Sequence, residues 1–316
     1  MKLSIVTINY NDAAGLKKTI DSVASQDLSS ISSLHSNLSA LISPFVIEHI
    51  VVDGGSTDGS VDVIKDYESR IAHHQLPISL KWVSEKDKGI YNAMNKGIEM
   101  ALGKRTVDNS NLPTNHYIQI LNSADVLAAP DVCVRMLTAL MENNYPDMVY
   151  GNMIKRTLDG KIVGKSGQVP YSLLQYFTST MNHDCCWIKR TLFIRDSVSD
   201  SQAEECYGLY DENLKIVSDW KWFLQAIGLG KVKPMYVDID MTIFDTEGIS
   251  EKNLQLRNEE RRKVLEQVLP PAVLADYDKH AFDMRQMDRL RKHHLYPLVY
   301  FIERVLFKLE KWHLLQ

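Results

Sequence analysis

The chain has 316 residues, of which 45% are hydrophobic and 24% charged, and its formal net charge is −4. This length and composition predict one large or two modest domains, with enough apolar residues for a sizeable packed core. The negative net charge argues against a general nucleic-acid binder, because that function needs a basic surface to neutralise phosphates.

Strands and helices are predicted to alternate through the first 121 residues. The predicted strands cover residues 3–8, 45–52, 78–83 and 117–121, and the predicted helices cover residues 13–26, 60–71 and 90–102. The serine-rich stretch 29–43 has apolar residues at helical spacing and is expected to extend the first helix, whereas residues 105–115 are expected to form a loop insertion. The alternation predicts an α/β fold, with parallel strands joined by right-handed crossovers and helices on both faces of the sheet.

All four predicted strands end in polar residues. These ends are NYND at residues 9–12, DGGSTD at 53–58, SEKDK at 84–88 and NSAD at 122–125. Ligands of open α/β sheets bind beyond the carboxyl ends of the strands. The sequence therefore predicts a ligand site at this edge of the sheet.

The stretch DGGSTDGS combines two acids with adjacent glycines. Gly54 and Gly55 permit close backbone approach, and Asp53 is expected to accept a hydrogen bond from a bound ring N–H or hydroxyl. Asp58 is expected to cap the following helix. Neither the phosphate loop GxxxxGK[ST] nor the dinucleotide fingerprint GxGxxG occurs here, so the usual nucleoside triphosphate and nicotinamide sites are not predicted.

Two further strand ends carry oxygen donors. Asp87 is predicted to contact a ligand because of its position, while the apolar residues of the next helix (Ile90, Met94, Ile98 and Leu102) are predicted to be core. Asn122, Ser123 and Asp125 are hard donors of the kind that Mg²⁺ or Mn²⁺ binds, with water and substrate phosphates completing the coordination. The alternative is a plain turn with a helix cap at Asp125 or Asp131.

Five stretches resemble the family 2 inverting glycosyltransferases of the GT-A fold. They are SIVTINYND, IVVDGGSTDGS, SEKDKGIYNAMNKGI, LNSADVL and YGLYDENLKIVSDWKWFLQAI, and they follow in the family's order over residues 1–250. The resemblance implies a GT-A, Rossmann-like, mostly parallel sheet, a nucleotide-diphospho-sugar donor, with a UDP- or GDP-sugar expected, and Mn²⁺ or Mg²⁺. It also implies that the nucleotide lies beside Thr7, Asn9, Asp53, Asp87, Lys88, Asn122 and Ser123, with Asp125 as the metal ligand.

One residue departs from the family pattern. Ala124 stands where many members carry a second acid. The loss of one carboxylate is expected to weaken metal binding without abolishing it, because diphosphate oxygens also bind the metal.

The resemblance identifies Asp219, in IVSDWKWF, as the catalytic base that deprotonates the acceptor. Its apolar neighbours predict a raised pKa. Asp211 and Glu212 are the next candidates, and a helix N-cap is the alternative role for Asp219. His183, Asp184 and Trp220 are predicted on the acceptor side, where a structural role for His183 stays open. TEGIS, residues 246–250, is expected near the diphosphate.

The chain is predicted to divide into a catalytic domain, residues 1–250, and a helical C-terminal extension, residues 251–316. The catalytic domain comprises a nucleotide-binding half, 1–126, and an acceptor half, 127–250. In the extension, apolar residues share one helical face (Leu298, Ile302, Val305, Leu309 and Trp312), downstream of basic residues (Arg285, Arg289, Arg291 and Lys292). This pattern suits a membrane interface, and packing on the catalytic domain or on a second copy is the alternative.

Four cysteines (Cys133, Cys185, Cys186 and Cys206) form neither a CxxC pair nor a zinc spacing, which predicts reduced thiols that are buried or idle. No signal peptide or spanning segment is predicted, so we expect a cytoplasmic protein, peripheral at the inner face of the cytoplasmic membrane if the tail binds there. The expected acceptor is a glycan or a lipid-linked acceptor of polysaccharide or cell-envelope synthesis. A non-catalytic nucleotide-sugar binding module is the alternative, and a nucleotidyltransferase is disfavoured because INYNDAAGLKK lacks its glycine-rich basic loop.

Overall fold

A computed structural model of the chain describes residues 1–29, 45–74, 76, 78–103, 115–157, 159–194, 206–245 and 253–311. Several predictions lie outside these residues: the extension of the first helix through the serine-rich stretch, the loop insertion at 105–114, the TEGIS segment, and the position of Trp312.

The elements of the first 120 residues follow the predicted order. They are β1 (Lys2–Asn9), α1 (Ala13–Ala24), β2 (Val46–Asp53), α2 (Ser60–His74), β3 (Ile78–Ser84), α3 (Ile90–Ala101) and β4 (His116–Ile120). Their bounds agree with the predicted ones to within three residues.

The remaining elements are shorter and more varied. They are β5 (Val126–Leu127), α4 (Val132–Glu142), β6 (Met148–Arg156), β7 (Ile162–Lys165), α5 (Leu173–Thr178), β8 (Cys186–Lys189), α6 (Ser218–Phe223), β9 (Met235–Asp245), α7 (Leu254–Val268), α8 (Pro271–Lys292) and α9 (Tyr296–Lys311). A 3₁₀ turn at His183–Cys185 precedes β8, and a π-helical segment, Leu224–Leu229, continues α6.

The strands form one sheet in the order β3-β2-β1-β4-β8-β6-β9-β5, with β7 paired to β6. The predicted parallel pairing of β1 to β4 is confirmed, and the register places Asn9 opposite Asp53 and Asp53 opposite Ser84. The polar ends of these strands are therefore level with one another. Beyond β4, strand β8 runs antiparallel to both of its neighbours, which the sequence did not predict.

Helices cover both faces of the parallel half, as predicted. Val51 packs in a cluster with residues of α1 and α2, including Leu16 and Ile64. The adjacent Val52 lies near Gly97 of α3, and neighbouring residues of a strand point to opposite faces. A Cβ atom at Gly97 would overlap the side chain of Val6, so the missing side chain lets α3 lie close to β1.

The contacts divide the chain into two compact units, Met1–Arg262 and Lys263–Gln316. The first contains the whole sheet. The second contains the end of α7 together with α8 and α9. Among the described helices, none is long and apolar enough to cross a membrane. The four cysteines are free, and of these only Cys206 is partly exposed.

Candidate active site

The ends of three strands meet in one hydrogen-bonded cluster. Asn9 of β1 donates its side-chain N–H to Asp53 Oδ1 of β2 at 2.9 Å. Ser123, after β4, donates its hydroxyl to Asn9 Oδ1 at 2.9 Å. The parallel register brings these residues together, although they are 44 and 114 positions apart along the chain. Three of the predicted nucleotide-binding residues therefore share one cluster.

Asp53 is the buried centre of this cluster. Its carboxylate accepts hydrogen bonds from Asn9, from the N–H and hydroxyl of Ser56, and from the hydroxyl of Ser84 at 2.6 Å. Burial opposes ionisation, but the bonds from Ser56, Ser84 and Asn9 outweigh it and lower the pKa of Asp53. Because a carboxylate offers about four acceptor positions, the predicted contact with a base requires one of these donors to move away.

An exposed rim surrounds the buried cluster. A Cβ atom at Gly54 would lie 3.0 Å from Asp87 Oδ2 and 3.1 Å from Tyr10 Cδ2, so the glycine keeps a gap open between them. Asp87 also accepts a hydrogen bond from Lys96 at 2.6 Å, and Lys88 beside it is exposed. Tyr10 is 68% exposed and was missed from the sequence, although an aromatic residue directly after a buried strand was a visible signal.

Thr7 does not reach this edge of the sheet. Its side chain is fully buried, and its hydroxyl lies 2.9 Å from His49 Nε2. Burial lowers the pKa of His49 to about 3, so this pair is neutral. Thr7 therefore packs between β1 and β2, two residues before the polar end where the nucleotide was predicted.

The turn after β4 holds the predicted metal ligand. Asp125 is 6% exposed, and its backbone N–H donates to Asn122 O at 3.1 Å. Ala124 between them has a φ of 76°, in the left-handed region. Asp131, the alternative helix cap, makes no capping hydrogen bond with its side chain. Thr19 of α1 anchors the turn by donating its hydroxyl to Asp125 O at 2.7 Å.

This turn fits a divalent cation that takes most of its ligands from a substrate. Within the described parts of the chain, no three His, Cys, Asp or Glu side chains are grouped to hold a metal ion. Asp125 supplies one carboxylate, and Asn122 Oδ1 is buried without a hydrogen-bond partner. One carboxylate with diphosphate and water oxygens is a usual ligand set for Mg²⁺.

Asp219 is connected to this turn through His183. Asp219 lies in the first turn of α6; its Oδ2 is 2.9 Å from His183 Nδ1, and Tyr91 OH donates to its Oδ1 at 2.8 Å. The other ring nitrogen of His183 lies 3.1 Å from Asn122 Nδ2. The N-cap of α6 is Val217, so the alternative role of Asp219 as the N-cap is not what the structure shows.

The predicted raised pKa of Asp219 is wrong. Burial does disfavour its charge, but the hydrogen bond and charge of His183 and the hydroxyl of Tyr91 outweigh burial and lower the pKa. The same interaction raises the pKa of His183 to about 9, against the effect of burial. At neutral pH the two side chains therefore form an ion pair.

The charge of His183 also bears on Asn122. When the His183 ring is charged, both of its nitrogens donate hydrogen bonds. The Asn122 side chain then turns by 180° about its last bond, so that its amide oxygen, and not its N–H₂ group, faces the ring. In one orientation Asn122 leaves an oxygen for a cation. In the other it leaves an N–H₂ group for a phosphate oxygen, so both orientations suit a diphosphate–metal complex.

Two residues predicted on the acceptor side are tied to other parts of the protein. Asp184 is buried and accepts a hydrogen bond from Thr242 at 2.6 Å, so it does not face an acceptor. Trp220 is buried and donates its indole N–H to Tyr176 O at 2.6 Å. Burial raises the pKa of Asp184 although the charge of His183 opposes this.

The alternative bases have partners of their own. Asp211 forms an ion pair with Lys221 at 2.6 Å. Glu212 accepts hydrogen bonds from Asn92 and Asn95, both at 2.9 Å. Of the three candidate acids, Asp219 is the one that hydrogen bonds connect to the strand-end turn.

Comparisons with known proteins agree with this architecture. The model of the family described as Glycosyl transferase family 2 matches residues 4–201. An uncharacterized glycosyltransferase of Mycobacterium tuberculosis is 28% identical over 247 residues, which cover 78% of this chain and 76% of that protein. A PGL/p-HBAD biosynthesis glycosyltransferase of the same species is 22% identical over 246 residues, covering 78% and 77%.

Solved structures share the fold. The structure of S. aureus TarS 1–349 in complex with UDP has a TM-score of 0.54 at 15% identity, covering 90% of this chain and 72% of that one. The chain spans 41% of a longer TarS structure. A mannosyltransferase from Pyrobaculum calidifontis, in complex with GDP-Man and Mn²⁺, has a TM-score of 0.53 at 14% identity, covering 84% and 63%. The expected GT-A architecture, a mostly parallel sheet with helices, is confirmed.

Proposed function

The chain belongs to glycosyl transferase family 2, and from this premise we propose that it transfers a sugar, with inversion, from a UDP- or GDP-sugar to a glycan or lipid-linked acceptor. The observation that carries the proposal is the hydrogen-bonded series from Asn122 through His183 to Asp219. It joins a strand-end site suited to a nucleotide with an acid suited to accept a proton. The UDP and GDP-Man bound to two structures of this fold support a nucleotide-sugar as the donor.

The donor nucleotide occupies the rim in this proposal. The gap at Gly54, between Tyr10 and Asp87, receives the base and ribose, and Lys88 lies at its edge. The buried cluster around Asp53 holds the ends of β1, β2, β3 and β4 together beneath them. Asn122 and Asp125 then face the diphosphate and would hold a divalent cation, which would supply positive charge to stabilise the diphosphate as a leaving group.

Asp219 accepts the proton of the acceptor hydroxyl. Its lowered pKa keeps the carboxylate ionised at neutral pH, and 18% of the side chain is exposed to receive the acceptor. Each carboxylate oxygen uses one position for Tyr91 or His183 and keeps another for the incoming hydroxyl. As the O–H bond breaks, the acceptor oxygen bonds to the sugar on the side opposite the leaving diphosphate.

A donor panel tests this proposal. The full chain is incubated with UDP- and GDP-sugars and Mn²⁺, and binding is followed by thermal shift and transfer by release of the nucleoside diphosphate. A ligand at 100 times its Kd adds about 2.7 kcal/mol of stability, so the preferred nucleotide should be visible. Asp125→Ala should weaken nucleotide binding in Mn²⁺ and abolish transfer.

Asp131→Ala is the matched control, because Asp131 is exposed and lies after the turn, at the start of α4. It should bind and react as the wild type does. Unchanged turnover of Asp125→Ala, or full wild-type activity in excess EDTA, would contradict the metal-assisted mechanism.

A further inference from the structure

Two arginines of α7 lie one helical turn apart beside the proposed base. The guanidinium of Arg261 stacks over the ring of Trp220 at 4.6 Å from its centroid. Arg261 also donates a hydrogen bond to Ser179 O at 2.8 Å. Arg257 is four residues earlier on the same helix, where i and i+4 side chains share one face. Because Trp220 follows Asp219 directly, this face of α7 reaches the acceptor half of the site.

Neither arginine pairs with an acid in the described parts of the chain. Both carboxylate oxygens of Glu260, the acid next to Arg261, accept backbone N–H groups, from Lys215 at 2.7 Å and Ile216 at 2.9 Å. Glu259 accepts a hydrogen bond from Gln255. The acids of this part of α7 therefore do not neutralise the two arginines.

The arginine pair is unfavourable by itself. Arg257 Nε is buried and has no hydrogen-bond partner among the residues that the structure describes, and a buried polar group in that state lowers stability. Like charges at i and i+4 also repel each other on a helix. Burial and the charge of Arg257 lower the pKa of Arg261 to about 10, although the charge of Asp219 opposes this. An anion bound between them would relieve all three effects.

We propose that Arg257 and Arg261 bind an oxyanion carried by the acceptor, a phosphate or a carboxylate. This rests on the proposed function. The planar guanidinium presents paired N–H donors that match the two oxygens of either group. The group sits on the acceptor because Arg261 contacts Ser179 and Trp220, whereas the strand-end turn at Asn122 connects to Asp219 through His183. The substrate class is thus an anionic acceptor.

Titration calorimetry tests the site with the full chain. The probes are methyl phosphate and glucuronate, titrated into protein already saturated with UDP or GDP and Mn²⁺. Arg257→Gln should weaken binding of the preferred probe at least tenfold. Arg262→Gln, a change of an exposed arginine on the same helix, is the matched control and should leave binding unchanged. The better of the two probes identifies phosphate or carboxylate as the acceptor group.

The outcomes separate this site from the donor site. Equal binding by wild type and Arg257→Gln, or no binding of either probe by wild type, overturns the proposal. If the nucleoside diphosphate displaces the probe and Arg257→Gln loses affinity for the nucleotide, the arginines serve the donor and the acceptor assignment is wrong. Because the titration requires no sugar transfer, Arg257-dependent binding in a chain without transferase activity would refute only the proposed function.

The Arg257→Gln variant should fold as the wild type does. Arg257 Nε has no hydrogen-bond partner among the described residues, so Arg257→Gln should unfold at or above the wild-type temperature. Arg261→Gln removes the bond to Ser179 and the stacking on Trp220, and it serves as a second variant. A loss of probe binding in Arg261→Gln but not in Arg257→Gln would contradict a site formed by the pair.

Discussion

Two side chains hydrogen bond to Asp219, His183 and Tyr91, and Asn can satisfy both of them. In Asp219→Asn, the amide oxygen accepts from His183 and the amide N–H₂ donates to the Tyr91 hydroxyl. The variant should therefore fold and bind nucleotide as wild type does, while kcat falls by a factor on the order of 10²–10⁴. Kinetics and calorimetry with UDP and GDP measure this. Transfer at the wild-type rate would direct the search to Asp211 and Glu212, and failure to fold would show a structural role.

The ion pair of His183 and Asp219 makes stability depend on pH. A raised His183 pKa contributes stability that is fully present below pH 6.5 and is lost as the pH rises through about 9. The lowered pKa of Asp219 contributes stability that is present above the ordinary carboxyl pKa and is lost as the pH falls through the lowered value. Stability from this pair should therefore be greatest between these two limits.

We expect the wild-type advantage over His183→Gln to shrink by up to about 3 kcal/mol between pH 6 and 9.5, since one pKa unit corresponds to about 1.4 kcal/mol. Urea unfolding of both proteins at the two pH values measures this difference. Parallel curves for the two proteins would show that the histidine does not carry the raised pKa.

The sequence predicted single residues well where local patterns decide their position. Asn9, Asp53 and Ser123 meet because each lies at or just beyond the end of a strand whose apolar run is visible in the sequence. The pKa of Asp219 was predicted in the wrong direction because its partners, Tyr91 and His183, are 128 and 36 positions away. No local pattern shows that these side chains meet.

Helix α3 lies close to β1 at Gly97, and the stability of the protein should depend on this contact. Gly97→Ala places a methyl group against Val6 in a packed core, which typically lowers stability by about 1–3 kcal/mol. Alanine alone favours the helix by about 1 kcal/mol, so the loss should be toward the lower end. Gly167→Ala, which meets no atom within 4 Å, is the control for chemical denaturation. A more stable Gly97→Ala would mean that α3 moves away easily.

Helix α7 contacts the segment before Asp219 through one acidic side chain. Glu260 holds that segment by accepting the N–H groups of Lys215 and Ile216. Glu260→Gln replaces one acceptor oxygen with a donor and leaves a backbone N–H unsatisfied, so stability should fall by about 1–3 kcal/mol. Because the segment leads into α6, kcat should fall as well. Thermal unfolding and kinetics measure both, with Glu259→Gln as the exposed control.

Elements of the two halves differ in how far the sequence predicts them. In the first half, long apolar strands alternate with amphipathic helices, and each parallel strand pairs with a partner that is separated from it by a crossover. In the second half, β8 has four residues and lies between β4 and β6, and β6 also pairs with the distant β9. Short strands with remote partners leave little periodicity to detect.

Regarding the whole molecule, the C-terminal helix motivates a test of membrane binding. None of the residues of α9 is buried, and Leu298, Phe301 and Phe307 are more than half exposed. With the arginines of α8 nearby in sequence, this helix suits an anionic membrane surface. Pelleting with anionic liposomes should decrease when residues 295–316 are removed and when salt is raised. Equal pelleting with and without them would favour packing or self-association.

The helical nature of the C-terminal extension was predictable from its composition, because the charged and apolar residues both recur at helical spacing. Its first boundary was less predictable. The predicted division after residue 250 differs from the division after Arg262, which falls inside α7. Glu260 and Arg261 of α7 belong to the first unit, and the end of the same helix belongs to the second. The composition of the helix does not change at this boundary.

The single partly exposed thiol makes the protein convenient for fluorescence work. Three cysteines are buried, so a maleimide dye should react with Cys206 alone under native conditions. The ring of the neighbouring Tyr207 contacts the ring of Trp222 edge-on, with the two ring centroids 6.0 Å apart. A dye at Cys206 would therefore sit within energy-transfer distance of an indole of α6, the helix that carries the proposed base, and it would follow movements of this helix without any change to the sequence.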